Sequence, residues 1–171
     1  MIGVVDYGAG NLLSVGNALE ALNVPFRMVR GPRDLHGLER VLLPGVGHFG
    51  AMMAALDAEG LRCALLDHVE AGGALFGICL GFQALYEGSE EAPGVRGLGL
   101  LPGVVTRLKG VPKVPHMGWS PISGGEYVYF AHSFAAPVGE ETTHTCAYGS
   151  PFAAAAALGR VGGVPERGNS P

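Results

Sequence analysis

The sequence predicts an α/β fold, a doubly wound and mostly parallel sheet with helices on both faces and an antiparallel extension in the C-terminal half. Three features carry that expectation. Short, wholly apolar segments such as Ile2-Gly3-Val4-Val5 and Val41-Leu42-Leu43 lack the alternation of a half-exposed sheet, so they suit strands buried on both faces. Between them apolar residues recur at helical spacing, and strands joined by helical crossovers form parallel sheets. From about Gly97 the pattern changes to short strands broken by Gly and Pro, which read as hairpins.

Taken in order, Ile2 to Val5 is a buried strand and Asp6 to Gly10 a turn. Asn11 can cap a helix whose apolar stripe is Leu12, Val15, Leu19 and Leu22. Pro25 to Val29 is the next strand. Val41 to Leu43 is another, stopped by Pro44-Gly45, and helical patterns follow over Met52 to Glu59 and Leu61 to Glu70. Ala74-Leu75-Phe76 leads into Gly77-Ile78-Cys79-Leu80-Gly81 and then the helix-like Phe82 to Tyr86. Gly103 to Thr106 and Tyr127 to Phe130 are the clearest strands of the second half. Ligands in open α/β sheets bind beyond the carboxyl ends of the strands, so Asp6, Gly45 and Cys79 are expected on one rim.

With 171 residues the chain suits one domain, 1–171, and no linker or internal repeat divides it. A net charge of -4 with no basic patch argues against nucleic acid as a partner. The first residues have no signal-like pattern and no apolar run is long enough for a membrane span, so the expectation is a cytoplasmic protein without a membrane partner. Cys63, Cys79 and Cys146 are odd in number and lack a C-x-x-C pair, which indicates neither a disulfide framework nor a zinc site. Cys63 and Cys146 read as packing residues, and no metal or organic cofactor is expected.

Cys79 stands apart because glycines flank it at a strand-to-helix transition. A nucleophile elbow needs glycine there, since its own backbone is strained and neighbouring side chains would collide. The following helix would favour thiolate over thiol. A buried cysteine in a Gly-rich turn is the competing reading. Gly45, Val46 and Gly47 follow a strand and can swing amides towards a ligand, which with the Leu80 amide suits an oxyanion hole; a turn with no partner is the alternative. Of six histidines, His36, His48, His68 and His144 lie in polar or helical contexts that suit solvated or capping residues, whereas His116 and His132 sit in aromatic strand ends and are the site candidates.

Five segments in order, Asp6-Tyr7-Gly8-Ala9-Gly10-Asn11, Leu43-Pro44-Gly45-Val46-Gly47-His48-Phe49-Gly50, Gly77 to Gln83, Pro115-His116-Met117-Gly118-Trp119 and Tyr129-Phe130-Ala131-His132-Ser133-Phe134, resemble the glutaminase subunits of imidazole glycerol phosphate synthase. These are class I glutamine amidotransferases of histidine biosynthesis. The resemblance implies a flavodoxin-like fold, glutamine as substrate and no cofactor. It implies that Cys79 forms a glutamyl thioester and releases ammonia to a (β/α)8-barrel synthase subunit in a heterodimer. Gly45, Val46, Gly47 and Leu80 would then hold the oxyanion. Gln83, His132, Ser133 and Phe134 would hold glutamine, and Asn11, Met117 and Trp119 would meet the partner.

The same family closes its catalytic triad with Gln-Phe-His-Pro-Glu-Lys-Ser and a final helix, which this sequence lacks. Pro165-Glu166-Arg167 overlays Pro-Glu-Lys, making Glu166 the tentative acidic member, while Val164 stands where the base would be. Three accounts are open: a shifted or truncated reading frame, a catalytically inactive partner subunit, or recruitment of another histidine. On this reading the C-terminal strand and helix are incomplete, and apolar sheet surface is left exposed.

Overall fold

Burial decides where the apolar segments go. The computed structural model describes residues 1–164, and in it they become adjacent parallel strands, β1 (Ile2–Val5), β2 (Phe26–Val29), β3 (Arg40–Gly45) and β4 (Ala74–Cys79). Three longer helices intervene, α1 (Leu12–Ala21), α2 (Phe49–Ala58) and α3 (Leu61–Glu70), and the short α4 (Leu80–Ala84) follows β4 directly. The second half contributes β5 (Gly88–Ser89), β6 (Val104–Arg107), β7 (His116–Pro121), β8 (Tyr127–His132), β9 (Phe134–Ala135), β10 (Thr142–Tyr148), β11 (Ser150–Leu158) and β12 (Val161–Val164).

The main sheet runs β10-β11-β12-β4-β3-β1-β2. Strands β2, β1, β3, β4 and β12 are parallel, and β11 and β10 extend the sheet antiparallel beyond β12. The doubly wound expectation with an antiparallel extension holds. Chain order reverses between β1 and β3, so their carboxyl ends, with that of β4, form the rim where such sheets bind ligands. The hairpin β7–β8 forms a separate antiparallel pair.

Several local expectations need correction. β3 continues through Pro44 and Gly45, which pair with Ile78 and Cys79, because proline lacks only a donor and the flanking strand supplies the rest of the register. α2 begins at Phe49 rather than Met52, since the His48 ring accepts the Gly50 amide and caps the helix. Asn11 does cap α1, its Oδ1 accepting from the Ser14 amide. Leu22 falls just past that helix, 71% exposed, and so does not complete its buried stripe. Cys63 is exposed on α3, not packed inside, whereas Cys146 is buried.

Val41, Leu43 and Leu75 pack with Met52, Met53, Leu56, Leu61 and Leu65 in the larger core. On alternate positions, Leu42 and Phe76 line a hollow of about 450 Å³ shared with Ile2, Ala155 and Val164. Among the described residues its lining is mainly apolar sheet surface. At the sheet's upper end the backbones of β3 and α4 touch: a Cβ at Gly81 would lie 1.7 Å from the Leu43 carbonyl oxygen, and one at Gly45 2.5 Å from the Gly81 nitrogen. Only glycine fits at either place.

A second, smaller core lies under the β7–β8 hairpin and contains Leu108, Val128, Phe130, Cys146 and Phe152. His116 is buried in it at 2% exposure. Its ring lies nearly parallel to those of Tyr148 and Phe130, at centroid distances of 3.8 and 4.8 Å. Burial, with the neighbouring His132 adding to it, lowers the His116 pKa from 6.5 to about 4.

Two measurements check this architecture. Gly81→Ala is expected to lower the unfolding free energy by about 3 kcal/mol or more in a denaturant titration, because backbone on both sides must move. A neutral buried imidazole binds its proton more readily when unfolded, so its contribution is full above pH 6.5 and is lost as pH falls towards 4. Stability measured across that window should drop by up to about 3 kcal/mol from this ring, and His116→Phe should flatten the dependence.

Candidate active site

Cys79 is the last residue of β4 and the N-cap of α4, with φ 56° and ψ -116°. That backbone is outside the regions a side chain favours and costs about 1–3 kcal/mol, which the surrounding structure must impose. The imposition comes from both neighbours, since a Cβ at Gly77 would lie 2.5 Å from the Gly81 carbonyl oxygen. The elbow expected from the glycine spacing is therefore present, and Cys79 is partly accessible rather than sealed in the core. α4 spans only five residues, so the dipole it presents to Cys79 is that of a single short turn and not of a long helix.

A cleft of about 280 Å³ opens over the elbow. Val46, Gly47 and Leu80 line it together with Gln83 and Glu91, and Pro115 with Ala131 to Phe134 supplies the rest of its wall. Register explains the first group: Gly45 pairs with Cys79, so the loop leaving β3 passes directly beside the thiol. Gly47 has φ 91°, which only glycine adopts freely. The Val46 amide donates to the Tyr7 hydroxyl at 3.4 Å, so this N–H is engaged away from a ligand's oxygen. Tyr7 is buried beneath the loop, and that burial raises its pKa.

The wall is held from two directions. The Phe134 carbonyl accepts from Gln83 Nε2 at 3.1 Å and from His132 Nδ1 at 2.8 Å. Burial lowers the His132 pKa, so the ring is neutral at ordinary pH, and its other nitrogen lies 3.1 Å from His116 Nδ1. Both nitrogens of His132 are thus engaged. His36 is exposed, His48 caps α2, and His68 and His144 contact the Ala74 carbonyl and the Thr143 hydroxyl.

Sequence reasoning missed two groups here. Glu91 lines the cleft, with Oε2 accepting from the Phe49 amide. Nothing in the sequence separates it from Glu87 and Glu90; Glu90 instead accepts from the Arg107 amide and pairs with Lys109. Tyr7 stands in the sequence within a turn and within the first of the five family-like segments, with no role of its own, and an aromatic residue amid turn residues is the available signal. Asp6 reaches the rim but is taken by Arg30 at 2.8 Å, whose hydrogen bond holds its carboxyl below the usual range.

Met117 and Trp119 lie on the outward side of β7, 65% and 42% exposed, with Trp119 edge-on to Tyr129. Asn11 is exposed and spends its side chain on the α1 cap. Val164 pairs with Ile78, the residue before Cys79, and Glu166 lies outside the described residues. Among the described residues no cluster of three or more His, Cys, Asp or Glu side chains could hold a metal ion.

Comparison with known proteins shows the family and the fold. The model of the CobB/CobQ-like glutamine amidotransferase domain matches residues 12–113. An imidazole glycerol phosphate synthase subunit HisH from Moorella thermoacetica is 43% identical, covering 97% of this chain and 87% of that protein. The Thermus thermophilus HisH is 41% identical over 88% of this chain and 80% of its own length. A chloroplastic imidazole glycerol phosphate synthase hisHF of Arabidopsis thaliana is 36% identical over 98% of this chain, which spans 32% of that longer protein. Among solved structures, a glutamine amidotransferase superimposes with a TM-score of 0.79 at 22% identity, covering 95% of this chain and 87% of that one, which supports the fold. On these matches the chain belongs to the HisH family of glutamine amidotransferase subunits.

Proposed function

We propose that this chain hydrolyses glutamine to glutamate and ammonia and delivers the ammonia to a (β/α)8-barrel synthase subunit of histidine biosynthesis, as half of a cytoplasmic heterodimer. The observation that carries the reading is the strained Cys79 elbow beside the Val46-Gly47 loop in a cleft large enough for an amino acid. Its family membership supplies the substrate class. Among the described residues no helix is long and apolar enough to cross a membrane.

In this reading Cys79 Sγ bonds to the side-chain amide carbon of glutamine, and the carbonyl electron pair moves onto oxygen. The Leu80 amide and the Gly45-Val46-Gly47 loop hold that oxyanion once Val46 leaves Tyr7. The thiol proton is returned to nitrogen as the C–N bond breaks and ammonia departs. Water then adds to the thioester, the C–S bond breaks, and glutamate leaves with the thiol restored. Gln83, His132, Ser133 and Phe134 hold the glutamine chain. Glu91, the carboxylate of the cleft, is suited to the α-ammonium group. His132 has no free nitrogen to serve as base, and Glu166 remains the proposed acidic member of the catalytic group.

Met117 and Trp119, with Asn11 on α1, form the proposed docking face, because an exposed Trp beside Met is a suitable interface anchor.

Glutamate release, measured with a barrel synthase subunit and its ligand present, is expected to fall by about a thousandfold or more in Cys79→Ala. Equal rates in the two proteins would refute the enzymatic reading and favour a binding subunit. Tyr7→Phe removes the acceptor that occupies the Val46 amide, so glutamate release without the partner should rise about three- to tenfold. A fall instead would mean that the hydroxyl serves the reacting state.

A further inference from the structure

We propose that His116 is a positioning residue for the glutamine cleft, acting through His132 to hold the Phe134 carbonyl in the wall of the cleft that Cys79 also lines. The inference rests on the glutamine reading of that cleft.

The direction of each hydrogen bond follows from one end of the chain. A carbonyl oxygen only accepts, so His132 Nδ1, 2.8 Å from the Phe134 oxygen, carries the proton. A neutral His132 then has a bare Nε2, and His116 Nδ1, at 3.1 Å, must donate to it. That leaves His116 Nε2 bare, 2.8 Å from the Ser120 hydroxyl, which donates in turn. Each proton is set by the next.

The rest of the His116 environment leaves the ring no other use. It is 2% exposed, and its neighbours are the rings of Phe130 from β8, Tyr148 from β10 and Phe152 from β11. His116 and His132 are paired residues across the β7–β8 hairpin, so the contact is built into its register. Without the donor on His116, His132 can shift its proton to Nε2. The Phe134 carbonyl then keeps only Gln83, while Ser133 stays tied to the Leu108 amide and Ala131 and His132 stay paired in the hairpin. What changes is the hold on the Phe134 carbonyl, at the lining of the glutamine cleft.

The test uses alkylation of Cys79 by iodoacetamide and its protection by glutamine, which reads substrate binding without requiring turnover. His116→Phe preserves an aromatic ring in the stack and removes the N–H. The glutamine concentration for half-protection should rise about tenfold, the equivalent of 1.4 kcal/mol, while the alkylation rate without glutamine stays within about twofold. His116→Asn, with an amide donor near the Nδ1 position, should recover protection to within about threefold of the native protein. Native half-protection in His116→Phe overturns the inference and leaves the glutamine reading intact. Failure of glutamine to protect the native protein overturns both. If His116→Phe does not show a folded circular dichroism spectrum, Ser120→Ala decides: freeing His116 Nε2 should raise half-protection about threefold, and no change overturns the inference.

Discussion

The structure depends on a contact between two pieces of backbone. The end of β3 and the first turn of α4 approach so closely that Gly45 and Gly81 have no room for a side chain. This contact makes the chain turn within a single residue after β4, and the residue that turns is Cys79. Strain of that kind persists only where the surroundings over-determine it. Here β4 is paired on one side by β3 and on the other by β12, so neither end of the elbow can relax by shifting the strand. The same approach brings the Val46-Gly47 loop beside the sulfur. The proposed nucleophile and the proposed oxyanion loop are therefore one structural unit, not two sites that happen to be close.

The antiparallel half completes that unit. The hairpin β7–β8 presents Met117 and Trp119 outwards and buries His116 and Phe130 inwards, which is the period-two consequence of a strand. The inward face ends at His132 to Phe134, directly in the cleft. A proposed docking surface and part of the proposed substrate wall thus belong to one hairpin, Met117 and Trp119 on β7 and Ala131 and His132 on β8. The Tyr7 hydroxyl holding the Val46 amide adds a second element, from the turn after β1, whose position bears on the proposed oxyanion loop.

Strands and longer helices were legible because burial on both faces demands continuous apolar runs, and β1, β3 and β4 have them. Cys79 was legible because its two glycines record a steric demand in the sequence itself. Other assignments needed neighbours. Leu22 matches the helical stripe of α1 yet lies past its end, and Cys63 is exposed although cysteine is ordinarily buried. Among three clustered glutamates, Glu91 alone lines the cleft, because Phe49 at the start of α2 captures its carboxylate. The roles of His116 and His132 rest on a cross-strand pairing that spacing along the chain does not reveal.

What the amino-acid sequence determined by itself was local: where the chain is apolar enough to be a buried strand, where glycine is demanded, and which family these motifs resemble. Those properties depend on a residue and its immediate neighbours, so they can be read in one dimension. The three-dimensional packing decided the rest: that the Val46 amide meets Tyr7, that Phe134 receives both Gln83 and His132, and that Asp6 is taken by Arg30. Hydrogen bonds act over about 3 Å. Groups that far apart in space can be tens of residues apart in sequence, and only the folded chain selects which of the available donors and acceptors meet.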